Sequence, residues 1–403
     1  MVSVPQLRLR LAHERLILQL VRAEGPVTRP VLAERCGLSV QAVGDIIQSL
    51  TDDDLIEAVE LDRPARPGKP PTGFRIRRDG AWAFGFGLER DALTGVLLDL
   101  TGEVRWSTST ALPVGEAPEV TLARIGEEVA AVLVEPEWAA QRNRTAGIGV
   151  AAPGPLRMPE GTVVSPPNFP GWDRVNIPQA LASTVDLPVL VDNSASAAAL
   201  GVQWRRRRHR ASFVYCYWGM GIGGGLVLKD ALYGGTTGNA VEIGHVVVEP
   251  GGRLCHCGAR GCLEAEASVQ AVLDAAREWG RYETLAEVMA DRLRSEPVAA
   301  VVDRAAALLG NALVSVVNLF DVDEVVMGGH HFAAVAPVFL PALRDAVGRR
   351  VLRRHITATR VTVSDLGEEA NAIGAATLVF HRSLPATERR YEQQRKQRQA
   401  VYS

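Results

Sequence analysis

Four soft or borderline metal ligands fall close together in the chain: His245, Cys255, Cys257 and Cys262, spaced H-x9-C-x-C-x4-C. Three thiolates and one imidazole in so short a span can close tetrahedrally around Zn2+, and a site filled by four protein ligands is structural rather than hydrolytic. The competing reading is a set of reduced core cysteines beside an unrelated histidine. Gly251, Gly252, Gly258 and Gly261 speak for an irregular loop instead of a core strand. His256 lies between two of the ligands and is expected to point away. A second glycine-dense stretch, Gly219-Met220-Gly221-Ile222-Gly223-Gly224-Gly225, follows an apolar strand pattern. Its backbone N–H groups could cradle an anion, or its glycines could serve a tight turn that needs positive φ. Both readings stand on sequence.

A different chemistry is written into residues 1–80. Between Arg63 and Arg78 the charges are Arg63, Arg66, Lys69, Arg75, Arg77 and Arg78 with no intervening acid, and Pro64, Pro67, Pro70 and Pro71 keep the loop extended. Such a loop suits the narrow minor groove of DNA. Upstream, Val43, Ile46, Ile47 and Leu50 recur at i, i+3, i+4, i+7, the spacing of an amphipathic helix. Thr28 can cap a helix running from Val31 to Arg35, and Cys36-Gly37-Leu38-Ser39 supplies a terminating glycine and an N-cap serine. Strands at 55–59 and 74–76 around the basic loop complete a winged helix-turn-helix. In that arrangement Ser39, Gln41 and Ala42 face base edges, glutamine being suited to adenine and alanine to a thymine methyl, with Asp45 one turn on. Arg66 and Lys69 belong to the wing. Asp52-Asp53-Asp54 must lie away from phosphate, so only one end of the helix can dock. A protein-interaction module or dimer arm remains open on pattern alone. The run Arg205-Arg206-Arg207-Arg208-His209-Arg210 links a helix to a strand and is assigned to a solvated face.

The elements that position these residues follow from length and punctuation. At 403 residues, the chain exceeds the ~150 residues of one ordinary domain, so two or three folding units are expected. Hydrophobic residues at 47% and charged residues at 22% exclude a disordered or collagen-like chain, and a formal charge of −2 excludes a uniformly basic coat. Five cysteines, an odd number without a secretory signal, argue against a disulfide framework and leave Cys36 and Cys216 as packing residues. No uninterrupted apolar run reaches the ~18–20 residues of a membrane helix, and the N-terminus lacks the apolar core of a signal peptide, so a cytoplasmic chain is expected. From Ala81, glycine-punctuated strands at 82–88, 93–100 and 104–107 precede a helix near 119–134. The rhythm returns at 213–218 and 225–228, which predicts two related α/β halves. Residues 298–319 predict a long buried helix, 324–327 a strand, and 383–403 a polar tail.

From Ala81 to about Phe380 the chain resembles the ROK family of sugar kinases and sugar-responsive repressors. The resemblance is carried by Ala151-Ala152-Pro153-Gly154-Pro155, Asn168-Phe169-Pro170-Gly171-Trp172, Val191-Asp192-Asn193-Ser194-Ala195, Gly219 to Gly225, Glu242-Ile243-Gly244-His245 and Cys255-x-Cys257-Gly258-x-x-Gly261-Cys262-Leu263-Glu264. It implies an α/β fold: a winged helix-turn-helix over 1–80, a two-lobed actin-like, ribonuclease-H-type body over 81–382, and the polar tail at 383–403. Gly68-Lys69-Pro70 is similar to the wing linker of the family's repressors. Asn168, Asn193, Glu242, His245 and Glu264 match the residues that hold a pyranose ring. His245 would then serve both Zn2+ and sugar. Glu242 and Glu264 could instead only orient the metal ligands.

The departures from the family pattern decide between its branches. The resemblance implies that a kinase needs an Asp in the first strand-turn and another after the sugar-binding Asn; this chain has Gly87 and Ser194 there, and Met220 where a hydroxyl usually stands beside the nucleotide phosphates. A serine hydroxyl is far too weak a base to replace a carboxylate. The expected protein is a repressor without kinase activity, acting as a homodimer or homotetramer on two-fold operator DNA and responding to a sugar or amino-sugar effector. An active hexose or amino-sugar kinase with a DNA-binding head, and a DNA-binding scaffold that no longer binds sugar, are the two competitors. Ala42 and Gly44 replace hydroxyl residues of many family repressors, so operator preference does not transfer from relatives.

Overall fold

The computed structural model describes residues 4–61, 71–167, 169–206 and 212–384. In the N-terminal head, three helices, α1 (Val4–Glu24), α2 (Arg29–Cys36) and α3 (Val40–Asp52), pack with three short strands, β1 (Val27–Thr28), β2 (Ile56–Glu60) and β3 (Thr72–Ile76). β3 lies between the other two, antiparallel to both. Gly37 ends α2 in left-handed backbone at φ 66°, and the Gly37 and Leu38 N–H groups return to the Glu34 and Ala33 carbonyls. Two residues later Ser39 starts α3, its Oγ accepting the Ala42 N–H at 3.2 Å. The expected helix-turn-helix is therefore in place. Thr28 differs from expectation: it occupies the N-cap of α2, but its side chain makes no capping bond, and Pro30 in the first turn removes one donor that would need it. Val43, Ile46, Ile47 and Leu50 are all buried, against Ile17, Leu20 and Val21 of α1.

Each half of the body is a five-stranded sheet. The first contains Trp82–Leu88, Ala92–Asp99, Val104–Ala111, Thr145–Ala152 and Val189–Asn193; the second contains Phe213–Trp218, Ile222–Leu228, Ala231–Leu232, Glu324–Gly328 and Arg360–Val363. In both, the spatial order is third, second, first, fourth, fifth strand. The first three run antiparallel and the first, fourth and fifth parallel. One winding used twice is the duplication that the glycine rhythm predicted. Glu296–Phe320 is the expected long helix. Its composition and length would suit a membrane, yet Val298, Leu309, Leu313 and Val317 are buried in the core of the second lobe.

Two helices of small residues, Ser194–Arg205 and Ala370–Ser383, join the halves at backbone distance. A Cβ on Gly374 would lie 1.8 Å from the Ala197 carbonyl oxygen, and one on Gly149 would lie 1.8 Å from that of Ala375. The Ala370–Ser383 helix is followed by a fully buried Leu384, so the body extends past the boundary expected at 382; the rest of the expected tail, 385–403, lies outside the described residues.

The head is not a separate bead. Its core is continuous with that of the body through Trp204, Phe380 and Ala376. Arg22 of α1 donates to the Trp204 carbonyl and lies over the Trp204 ring at 4.4 Å from the centroid, a cation at a helix C-terminus. Asp54, the last of the three consecutive acids, pairs with Arg77 and with Arg144 of the first lobe at 2.9 Å. Its charge is thus paired within the protein, between head and body. The basic run is corrected as well: Arg206 is not a solvated charge but binds the buried Glu324 through two bonds of 3.1 and 2.9 Å, while residues 207–210 lie outside the described residues.

Candidate functional site

A cavity of about 470 Å³ opens between the lobes, with Asn193, Glu242, His245 and Glu264 in its wall. Local folding explains how each arrives there. Asn193 ends a strand and caps the Ser194–Arg205 helix: its Oδ1 accepts the Ala195 N–H at 2.9 Å and the Ser196 N–H at 3.4 Å. That leaves Nδ2 facing Gly154, where a Cβ would stand 2.9 Å from it and 3.6 Å from Glu242 Oε1. Glu242 precedes the short turn Ile243–His245, which packs so closely that a Cβ on Gly244 would meet the Ile222 carbonyl oxygen at 2.1 Å. Glu264 sits in the helix that starts after Cys262, and its Oε2 accepts the Ile222 N–H at 2.8 Å. Burial pushes the Glu242 carboxyl above its ordinary range, against the opposing pull of His245. The site thus offers an amide donor, two carboxylates and an imidazole around one space, the donor and acceptor set that vicinal hydroxyls require.

Beside it, the ligand atoms of His245, Cys255, Cys257 and Cys262 lie within 4.8 Å of one another. Cys255 Sγ to His245 Nδ1 and Cys257 Sγ to Cys262 Sγ are both 3.6 Å. A tetrahedron with Zn–S bonds of about 2.3 Å has edges of about 3.8 Å, so the donor set fits such an ion. The loop needs its glycines: Gly258 and Gly261 have φ of 91° and 75°, and a Cβ on Gly261 would fall 1.7 Å from the Glu249 carbonyl oxygen. Burial pushes the Cys262 thiol up to about 12 and raises that of Cys255, so these two sulfurs would stay protonated without a cation to offset their charge, whereas the Ala259 backbone N–H draws the exposed Cys257 thiol down.

Several expectations change on geometry. His256 does not point away: its ring lies 4.9 Å from that of His245, its Nδ1 is 3.5 Å from Glu264 Oε1, and it lines the cavity. Asn168 lies outside the described residues. The glycine stretch is not a positive-φ turn: none of its glycines has φ in the left-handed region. Its Gly223, Gly224 and Gly225 are inside the strand Ile222–Leu228, and Gly224 and Gly225 leave room for the Val241 and Ala195 carbonyls at 2.5 and 2.3 Å. Three cavity residues, Asn239, Glu89 and Asn371, were not singled out from sequence. Asn239 exchanges bonds of 2.7 and 2.8 Å with the Leu156 backbone across the cleft, and Glu89 accepts Asn371 Nδ2 at 3.1 Å. Nothing in their spacing marks them, because their partners lie far away in the chain.

On the head, Gln41 is exposed at the start of α3 with Nε2 3.3 Å from Asp45 Oδ1, and Gln48 continues the same face. Ser39 spends its hydroxyl on the Ala42 N–H, and Ala42 is half-buried. Arg66 and Lys69 lie outside the described residues. At the base of the wing, Arg75 is held by Glu57 at 2.6 Å and Arg77 by Asp54 and Asp79.

Residues 90–382 match the ROK family. The chain belongs to the ROK family. Residues 10–57 match a winged helix-turn-helix DNA-binding domain. The chain is 26% identical over 354 residues to a xylose repressor of Caldicellulosiruptor bescii, covering 83% of this chain and 88% of that protein. It is 32% identical over 254 residues to a glucokinase of Thermotoga maritima, covering 58% and 79%. A crystal structure of a ROK family transcriptional regulator, a homologue of the E. coli MLC protein, superposes with a TM-score of 0.76 over 94% of this chain and 97% of that one, at 24% identity, which establishes the shared fold. The glucokinase match covers 58% of this chain, whereas the repressor and regulator matches cover 83% and 94% of it.

The first strand-turn of this ROK body is rich in charge. Glu89 and Asp91 flank Arg90, and burial pushes the Glu89 carboxyl up from 4.5 to about 7, with His330 and the Tyr217 hydroxyl opposing the shift. Because the folded state holds this proton more tightly than the unfolded chain, Glu89 subtracts stability as pH rises from about 4.5 to about 7, by roughly 3 kcal/mol in all, and the loss is complete above that window. The Glu89→Gln variant should therefore gain on the parent protein between pH 5 and pH 8. Urea unfolding of both proteins at the two pH values checks this; a stability difference that does not change with pH would show that Glu89 ionises normally.

Proposed function

We propose that the chain is a sugar-responsive transcriptional repressor that binds operator DNA in the cytoplasm as a homodimer or homotetramer, with Zn2+ held by His245, Cys255, Cys257 and Cys262 in a structural site. The observation that carries this reading is the helix Ser194–Arg205. Its N-terminus is capped by Asn193 in the cleft, and its C-terminus holds Arg22 of α1. Effector contacts at one end are thus transmitted by a rigid element to the DNA-reading head at the other. A larger cavity between head and body carries the same message: Asp192 and Gly238, neighbours of Asn193 and Asn239, face it opposite Arg15 and Gln19 of α1. Sugar binding selects one arrangement of the lobes and shifts the paired heads away from their half-site spacing.

In this reading Gln41 reads a base edge, Ser39 and Ala42 fix and line the start of α3, and Arg66 and Lys69 enter the minor groove. Zn2+ supplies no chemistry beyond fixing the loop, so that the His245 ring and Glu264 meet the sugar from a rigid wall. Asn168 is assigned to the same sugar. Kinase activity is absent in this reading: Ser194 brings no carboxylate to the cleft, and at Gly87 an added Cβ would stand 3.0 Å from Asn371, a tight fit for an aspartate. A coupled assay with Mg-ATP and a sugar panel should give no turnover.

Operator fragments selected from genomic DNA, titrated by fluorescence anisotropy with and without sugars, test the whole reading. Glu242→Gln keeps the shape but removes an acceptor for the ligand hydroxyls. It is expected to bind operator normally while shifting the sugar concentration for release upward by about tenfold or more, the value of one charged hydrogen bond. Release at unchanged sugar concentration would sink the assignment of the cleft.

A further inference from the structure

His256 stands between Cys255 and Cys257 in the chain, so a metal held by those two sulfurs ties its backbone from both sides. Its side chain is 37% exposed and borders the cleft together with Asn193, Glu242, His245 and Glu264. The ring stands on edge to that of His245, with centroids 4.9 Å apart and planes at 83°. Its Nδ1 is 3.5 Å from Glu264 Oε1 and 3.8 Å from Cys255 Sγ. A carboxylate oxygen only accepts, as does a thiolate, so Nδ1 carries the proton of the neutral ring and Nε2 presents a lone pair. Among the described residues Nε2 has no hydrogen-bond partner. The neighbours that orient the ring are themselves anchored elsewhere. Glu264 Oε2 accepts the Ile222 N–H at 2.8 Å, and the Cys255 N–H donates to the Ala259 carbonyl at 2.8 Å. The metal loop therefore brings a second imidazole to the cleft beside His245, with one acceptor atom unspent.

We propose that His256 is a specificity-determining residue of the effector site, its Nε2 accepting one hydroxyl of the bound sugar on the side that faces the metal loop. This rests on the reading of Asn193, Glu242, His245 and Glu264 as the sugar site. A sugar that lacks this hydroxyl, or turns it away as an epimer does, loses the one bond and keeps the others. Because His256 is partly exposed, water takes the place of the missing hydroxyl. The discrimination is then that of one ordinary hydrogen bond, about fivefold to tenfold, and not the larger penalty of a sealed pocket. His256 in this role chooses among sugars, whereas the four residues around it hold whichever sugar enters.

The test is calorimetric titration of the full-length, zinc-loaded protein near pH 8, where an ordinary imidazole is neutral. D-Glucose, D-galactose, D-mannose, D-xylose and N-acetyl-D-glucosamine are titrated first, and the tightest binder is then compared with each of its monodeoxy analogues. Removal of one particular hydroxyl should cost the parent protein about fivefold or more in Kd, and that cost alone should fall to about twofold or less in His256→Asn. Asparagine keeps an amide donor near the Nδ1 position for Glu264 but has no atom at Nε2, whereas glutamine reaches the Nε2 position. His256→Gln should therefore retain the cost. If His256→Asn fails to fold or to hold its metal, His256→Ala takes its place in the same comparison. The reverse pattern, kept by asparagine and lost by glutamine, overturns the contact and makes His256 a support for Glu264. Equal costs in all proteins for every analogue overturn it as well, while leaving the sugar site intact. Binding of none of the five sugars by the parent removes the reading of the cleft, and this contact with it.

Discussion

Removal of the metal by a strong chelator is expected to lower the melting temperature of the full-length protein by about 10 °C or more and to abolish its response to sugar. Besides the metal, the loop from Val246 to Cys262 is held by hydrogen bonds, among them Arg253 N–H to Glu266 Oε1 at 2.6 Å and Arg304 to Glu249 at 3.3 Å, rather than by a continuous strand ladder. Its ladder consists of two isolated bridges, Val247 to Cys262 and Leu254 to Arg260, and Leu254 and Val247 are exposed. Structural zinc binds with about 10–16 kcal/mol of apparent free energy in small peptides, but only the share that stabilises this loop against the rest of the lobe, about 4 kcal/mol, reaches the global transition. At about 2–4 °C per kcal/mol for a unit of this size, the shift follows. The functional loss has a separate cause. Cys262 is the N-cap of the helix that carries Glu264, and His245 is in the turn that begins after Glu242, so the freed loop loosens three residues of the proposed sugar site at once. Differential scanning fluorimetry with metal content measured by mass spectrometry checks both. A metal-free protein with unchanged melting and sugar response refutes the zinc assignment.

The second large effect is expected at Gly374→Val, which should cost about 4 kcal/mol or more and leave little folded protein at 37 °C. The Gly374 Cα faces the Ala197 backbone, and the nearest atoms to an added Cβ are main-chain atoms that no rotamer change can move. Overpacking usually costs about 1–3 kcal/mol because side chains give way; here two helices must separate along their crossing. The matched control is Gly44→Ala in α3, where nothing lies within 4 Å of the new methyl. There the substitution should stabilise by about 0.5–1 kcal/mol through helix propensity alone. Urea midpoints at constant m-value compare the two, and a mild effect at position 374 would mean that the crossing is looser than backbone contact.

What was legible in the sequence had local causes. The Gly37–Ser39 turn, the Val43 to Leu50 face and the Cys/His loop each depend on residues a few positions apart, and all three stand where the spacing put them. The glycine stretch shows the limit. Its glycines read equally as an anion nest or a tight turn, yet the reason for Gly225 is the carbonyl of Ala195, thirty positions upstream in the chain and in contact only after the lobes form. Glu89 and Asn371 were missed for the same reason: they meet across 282 residues of chain. Arg206 read as one of a basic run, and its role became visible only with Glu324 buried beneath it.

The shared core of head and body has an evolutionary consequence. A cut at the junction near Ala81 would strip Ile17 and Val21 from Phe380 and Trp204, leaving apolar surface open on both pieces. The DNA-reading part is therefore not a cassette that can be exchanged whole between relatives. New operator preferences must arise by substitution on the outward face of α3 and in the wing, while α1 co-evolves with the body it rests on. Chimaeras that transplant a foreign head should succeed only when the last turns of α1 are kept from the host.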